Sequence, residues 1–391
     1  FALPGGYIYI TRGLLIYLNS EAELAAVLGH ELGHVTARHS VRQHGLSTAG
    51  NVLGSIIAAT SGVQGVGQLT NLLSTGIVRG YGREHELEAD GLGVEYLLKA
   101  GYPASAMQQV IATLKNQELF DKKLAQEQGR EPRAYHGVFS THPDNDTRLQ
   151  QVLATAQRGV KPIIGRGSLK DDAFLKKLVG ITFGDSEKDG ITRGSSFYHA
   201  ELNIKIKFPD NWLINNHANS ISASAPANEA YLQWAVQDLN RKITPKEFLQ
   251  TRLGLTDAIS EESLAVGPFS GYAMVVEGKT PYGKGALRAA VLYDGSRAYL
   301  FFAAAKQKEG FKKFDRHFMA SLQSLSRLTS QDRRVAKELT IQLEKSQRNT
   351  NVAALATSSP ITHHAEDQIR LLNGLFPSAE PKSGDLLKIV R

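Results

Sequence analysis

Residues 30–34 read His-Glu-Leu-Gly-His, and this pentapeptide constrains the chain more than any other stretch. On a helix, residues four apart share a face, so His30 and His34 can reach one metal ion at about 2.0–2.1 Å. Glu31 is turned about 100° from His30; it falls short of such an ion but reaches a water beside it. The flanking run Ala22 to Val35 is apolar on several sides. Two histidines and a glutamate buried there without a partner would be costly. A second element must complete the site.

Ser20 reads as the N-cap of this helix and Glu23 as the residue closing a capping box, with the helix running on to about Gln43. On one continuous helix His39 lies about 900° of rotation from His30 and faces the opposite side. It is therefore expected to be a structural or surface histidine, like His44, and not a third ligand. The metzincin pattern also fails, because Ala37 and Ser40 stand where it needs glycine and histidine.

The segment Arg83 to Lys99 supplies the alternative, a helix closed by Gly101 and Pro103. With Glu86 as origin of a helical wheel, Asp90, Gly93 and Leu97 fall within about 40°, while Glu84, Glu88 and Glu95 gather near 180°. The second group reads as a solvated face. Glu86 and Asp90 share a side with a small glycine, where another helix can approach. Glu86 is thus the expected third ligand, and Asp90 is placed to orient a ligand histidine.

The 391 residues allow two or three domains. A charged fraction of 21% and a formal charge of +7, without a Lys/Arg run interleaved with aromatics, give no nucleic-acid footprint. The absence of cysteine excludes disulfides, thiolate metal sites and cysteine nucleophiles. Residues 43–78 lack any charged side chain and hold seven glycines. They read as helical hairpin material around the site, with shallow membrane contact as the lesser alternative.

After about Gly180 the pattern changes. Leu202, Ile204, Ile206 and Phe208 alternate as in a half-buried strand, and Asp294-Gly295 joins two β-rich runs as a hairpin. Thr244 to Glu247 forms a capping box, and Phe311, Phe314, Phe318, Leu322 and Leu325 trace an amphipathic helix. The expected division is a peptidase domain over 1–180, an α+β domain over 194–328 whose element order resembles the PsbP/Mog1-like fold, and a C-terminal unit over 329–391. The last, through "LLNGLFPSAEPKSGDLLKIV", resembles the second half of a LysM-type module.

"FALPGGYIYITRGLL", "ELAAVLGHELGHV", "EHELEAD" and "STHPDNDTRL", in that order, resemble metallopeptidase family forty-eight, over roughly residues 1–158. That family holds HtpX-type membrane proteases, CAAX prenyl endopeptidases and a soluble periplasmic branch, and this chain is nearer the last. The resemblance implies a mainly α, zincin-like (gluzincin) fold with one zinc per chain on His30, His34 and Glu86, and Glu31 as catalytic base. His142 and Arg148 fall on the family's His-Pro…Arg element, and either would stabilise the oxyanion. His142, on a Gly- and Pro-punctuated loop, is alternatively a gate that fills the fourth zinc position at rest. Tyr7, Ile8 and Tyr9 would form an edge strand on which an extended substrate pairs.

The implied activity is zinc-dependent endopeptidase action in cell-envelope quality control, on unfolded or misassembled proteins. The expected location is periplasmic or envelope-associated, with any signal sequence upstream of Phe1 and with peptidoglycan or outer-membrane association open. The rival reading is a mostly dormant peptidase acting as a chaperone-like or envelope-anchoring scaffold.

Overall fold

The structure is a computed structural model and describes residues 1–3, 5–46, 81–128, 132, 148, 171–217, 219–239 and 242–391. It divides into two units, one of residues 1–126, 131–183 and 340–391, the other of 127–130 and 184–339.

The first unit opens with a short antiparallel pair, β1 (Ala2–Leu3) and β2 (Tyr7–Ile8), in which Leu3 lies opposite Tyr7. One turn, α1 (Arg12–Leu15), leads to α2 (Glu21–Thr36). Ser20 caps α2 by accepting the Glu23 N–H, as the spacing predicts. Glu23 does not close the box on Ser20, however; its carboxylate accepts the N–H of Asn19 at 2.8 Å.

Helix α2 stops at Thr36 and does not run on to Gln43. Arg38 adopts φ +55°, a left-handed conformation that a residue with a β-carbon seldom takes, and α3 (His39–Leu46) starts afresh beyond it. Then come α4 (Arg83–Lys99), α5 (Ser105–Glu127), α6 (Asp172–Lys177) and the two-residue strand β3 (Thr182–Phe183). Gly101, at φ +85°, turns the chain out of α4, the stop its sequence signals.

Helices α2 and α4 meet along a seam of small residues. A β-carbon on Gly33 would stand 2.8 Å from the Ala89 carbonyl oxygen, and one on Gly93 would stand 3.0 Å from the His30 nitrogen. Only hydrogen fits at these two positions, so the backbones come close enough for short side chains on both helices to converge.

The second unit is β-rich. Strands β4 (Ile191–Arg193), β5 (Ser196–His199) and β6 (Ile204–Lys207) pair in sequence. Strands β7 (Leu213–His217), β8 (Ser220–Ser224), β9 (Ala230–Asp238), β10 (Ser260–Val266), β11 (Phe269–Thr280), β12 (Gly283–Asp294) and β13 (Arg297–Ala305) form a seven-stranded sheet in the order β10-β11-β12-β13-β9-β8-β7. Asp294 lies opposite Arg297, which makes Gly295 the hairpin turn expected from its sequence.

Helix α7 (Phe311–Gln323) buries Phe314, Phe318 and Leu322 in one core with Trp234, Phe301 and Ile206. A fully buried side chain of this size stabilises the fold by about 1.5–3 kcal/mol. The Thr244 capping box starts a short turn whose sequel places Phe248 and Leu249 in a second core with Met274, Val276 and Leu300. Strand β14 (Ser326–Arg327) joins β6, and α8 (Ser330–Val335) follows.

The tail then returns to the first unit. Strand β15 (Leu339–Lys345) pairs with β16 (Leu386–Val390), enclosing α9 (Val352–Thr357) and α10 (Ala365–Leu372) between them in sequence, and β3 lies on the other side of β15. Residues 340–391 thus group with the first unit. Lys388 shows how the tail is held. Its ammonium is buried and donates to the carbonyls of Ile16 at 2.6 Å and Leu18 at 2.7 Å, just ahead of α2. Burial pushes its pKa down to about 7, against the pull of Glu23.

Candidate metal centre

Three side chains converge where α2 crosses α4. His30 Nε2 and His34 Nε2, one turn apart on α2, stand 3.0 Å from each other. Glu86, from the first turn of α4, offers one oxygen 3.6 Å from His30 Nε2 and the other 3.4 Å from His34 Nε2. All three residues are buried, and one donor atom from each falls within 4.8 Å of the others. Tetrahedral ligands at 2.0–2.1 Å from an ion would be about 3.4 Å apart, so the observed spacings fit a small divalent cation. The donor set, two imidazoles and a carboxylate, suits zinc.

The histidines are aimed by their other ring nitrogens. His30 Nδ1 donates to Asp90 Oδ1 at 2.7 Å, which leaves the lone pair on Nε2. Arg148 backs Asp90 with two hydrogen bonds, Nε to Oδ2 at 2.7 Å and a terminal nitrogen to Oδ1 at 2.8 Å. Its other terminal nitrogen is 3.4 Å from Glu86. Burial alone would raise the Asp90 carboxyl, but the Arg148 guanidinium and the His30 hydrogen bond override it and hold the pKa at about 2.

Arg148 or His142 was expected to steady an oxyanion. In the structure the Arg148 guanidinium pairs with two buried acids, Asp90 and Glu86. His142 lies outside the described residues, as do residues 47–78 of the 43–78 stretch where hairpin material was expected.

His39 departs most from the sequence reading. It is no ligand, as expected, but it is wholly buried and its Nδ1 lies 2.8 Å from Nδ1 of His34. The rotation argument assumed an unbroken helix, and the break at Arg38 re-aims the ring. Glu88, assigned to the solvated face, is indeed partly exposed. Yet its carboxylate accepts from His39 Nε2 at 3.2 Å and from Arg42 at 2.8 Å. Burial pushes the pKa of His39 down, against the pull of Glu88.

Sequence reasoning also missed Tyr81, whose ring stacks on His34 at 4.0 Å between centroids while its hydroxyl shares a 2.8 Å hydrogen bond with Ser40. Nothing in the local pattern around Tyr81 signals this.

Glu31 is buried beside the tripod. At the chain's start, Tyr7 in β2 and Tyr9 just beyond it are 64% and 48% exposed. Among the described residues its sheet has only two strands, which leaves an edge of β2 open.

Residues 1–156 match Peptidase family M48. The chain is 34% identical over 132 residues to the putative beta-barrel assembly-enhancing protease of Vibrio cholerae, covering 32% of this chain and 27% of that protein. It is 31% identical over 153 residues to the mitochondrial metalloendopeptidase OMA1 of Schizosaccharomyces pombe, covering 39% and 42%. To the metalloprotease YcaL of Escherichia coli it is 30% identical over 155 residues, covering 39% and 56%. The chain thus spans less than two thirds of each of these relatives. Among solved structures it is similar to cyanobacterial PsbP from Synechocystis, with 10% identity and a TM-score of 0.28 over 35% of this chain and 95% of that one. The corresponding figures for the Ran-binding protein Mog1p of Saccharomyces cerevisiae are 7% identity and 0.27 over 36% and 98%. The N-terminal part of the chain, residues 1–156, is therefore a peptidase family M48 domain, followed by a β-rich region.

Proposed function

We propose that the chain is a zinc-dependent endopeptidase of the gluzincin type, acting on unfolded or misassembled proteins of the cell envelope. The convergence of His30, His34 and Glu86 beside the buried Glu31 carries this reading. A divalent cation held there supplies Lewis-acid polarisation and an acidified water. Glu31, on the same helix as both histidines, takes a proton from the attacking water and passes it to the leaving amine. The open edge of β2 offers backbone groups to an extended peptide, with Tyr7 and Tyr9 exposed beside it.

The name of the Vibrio cholerae relative supports the substrate class and, with it, a periplasmic or envelope location. On this reading residues 1–180 form the peptidase domain, 194–328 an α+β domain of PsbP/Mog1 type, and 329–391 a LysM-like unit whose partner would be peptidoglycan. Among the described residues no helix is long and apolar enough to cross a membrane.

The test is cleavage of an unfolded polypeptide by the purified chain. Hydrolysis should stop on chelation and return with one equivalent of zinc. Hydrolysis that survives chelation would refute the metallopeptidase reading, and one bound zinc with no hydrolysis would favour the dormant scaffold.

A further inference from the structure

The two histidines at the metal centre are supported differently. His30 leans directly on the carboxylate of Asp90, itself held by Arg148. Among the described residues, the partner at His34 Nδ1 is the Nδ1 of another imidazole, His39, at 2.8 Å. Two ring nitrogens so close require one to carry a proton and the other a lone pair, and the choice decides whether His34 can act as a ligand.

The far side of His39 makes the choice. Its Nε2 lies 3.2 Å from Glu88 Oε2, and an ionised carboxylate only accepts hydrogen bonds. Arg42 donates to the same oxygen at 2.8 Å, so both neighbours of that carboxylate oxygen are nitrogen donors. A singly protonated His39 ring that donates to Glu88 carries its proton on Nε2, and its Nδ1 then has a lone pair facing His34. His34 must then place its own proton on Nδ1, which leaves the lone pair of Nε2 pointing at His30 Nε2 and Glu86.

We propose that Glu88 and His39 are positioning residues that fix the ligating tautomer of His34 through this relay of two hydrogen bonds. The inference rests on the metal-centre reading and deepens it. It assigns a role to the break at Arg38, since an unbroken helix would carry His39 to the opposite side of α2. It also gives the two ligand histidines the same plan, in which each Nδ1–H ends on an arginine-backed carboxylate, directly for His30 and through His39 for His34. The length of the second path suits its geometry, because Glu88 lies on a face of α4 too far round to reach His34 itself.

The experiment measures zinc affinity of the full chain by competition with a chromophoric chelator, together with the ¹⁵N shifts of the His34 ring in the metal-free protein. His39→Leu removes the acceptor and should weaken zinc binding by about 10–100-fold; His34 should pass from a single Nδ1–H form to a mixture of tautomers. His39→Asn, whose side-chain oxygen can accept from His34 Nδ1, should restore affinity and the single tautomer. A purely packing role for His39 predicts no such rescue. Glu88→Ala, at a partly exposed position that folding tolerates, should shift both readouts in the direction of His39→Leu, while Glu88→Gln retains an acceptor oxygen and the wild-type values. Wild-type affinity in His39→Leu and Glu88→Ala, or unchanged His34 shifts in both, overturns the inference. His34→Ala is the control that separates the two levels: if it keeps full zinc affinity, the metal-centre reading itself fails.

Discussion

Arg148 grips Asp90 through two hydrogen bonds of 2.7 and 2.8 Å, and both side chains are buried behind His30. The pair joins a residue far along the chain to the helix that carries Glu86. Removing the guanidinium leaves two acids in the interior without their counter-charge, so Arg148→Met should cost about 3–5 kcal/mol of stability. Metal affinity should fall with it, because Asp90 no longer holds His30 in place. Thermal unfolding and zinc competition check this; a variant of wild-type stability and affinity that is slow only in hydrolysis would return Arg148 to an oxyanion role.

Asp90→Asn keeps the shape and one acceptor oxygen but loses the charge facing Arg148. Zinc should bind about 10–100-fold more weakly, with the stoichiometry unchanged. Isothermal titration reads both values. Unaltered affinity would show that the His30 hydrogen bond does not tune the site.

The seam between α2 and α4 makes a prediction of its own. Gly33→Ala sets a methyl 2.8 Å from the backbone oxygen of Ala89, which cannot swing aside as a side chain can. The helices must part, and overpacking of this kind costs about 1–3 kcal/mol. Because both metal-binding faces border the seam, zinc affinity should drop as well. Wild-type stability and affinity in Gly33→Ala would mean that the seam is looser than described.

Lys388 tests whether the tail belongs to the peptidase unit. Lys388→Ala strips the buried carbonyls of Ile16 and Leu18 of their donor and Glu23 of its nearby cation. The expected loss is about 3–5 kcal/mol, in a single unfolding transition of the first unit. Separate melting of the tail, with the peptidase transition unmoved, would contradict this.

An acid-dependent effect is expected in the β-rich unit. The Lys205 hydrogen bond, 2.8 Å long, and those of Thr329 hold the Asp332 carboxyl down at about 2. A carboxyl depressed in the folded state stabilises it fully above the unfolded value and loses that contribution as pH falls through the folded one. The difference in melting temperature between wild type and Asp332→Asn should thus be constant above about pH 5 and shrink between about pH 4 and 2. A gap independent of pH would assign the effect to packing.

The His30–His34–Glu86 cluster was legible because α2 up to Thr36 and α4 are regular helices, on which spacing alone fixes which residues share a face. The close approach was legible too, since Gly93 falls on the Glu86 side of the wheel. What sequence could not supply came from irregular backbone and distant contacts. One left-handed residue, Arg38, brings the His39 ring to His34 where an unbroken helix would turn it away, and no composition rule places arginine there. Lys388 sits in a short strand of the tail, where a lone lysine reads as solvent-facing. Its partners are backbone carbonyls some 370 residues away, and these carry no side-chain signature. The β-rich unit was read correctly where turn chemistry is local, at Gly295 and Thr244, while the strand order of its sheet depends on pairings that local patterns leave open.

The central claim is that His30, His34 and Glu86 hold the metal while Glu31 does the chemistry. It is tested most directly by zinc content and hydrolysis of an unfolded polypeptide measured on the same preparation of Glu31→Gln. The account predicts one zinc per chain at wild-type affinity with hydrolysis reduced to background. Loss of the zinc, or hydrolysis at the wild-type rate with the zinc in place, would contradict it.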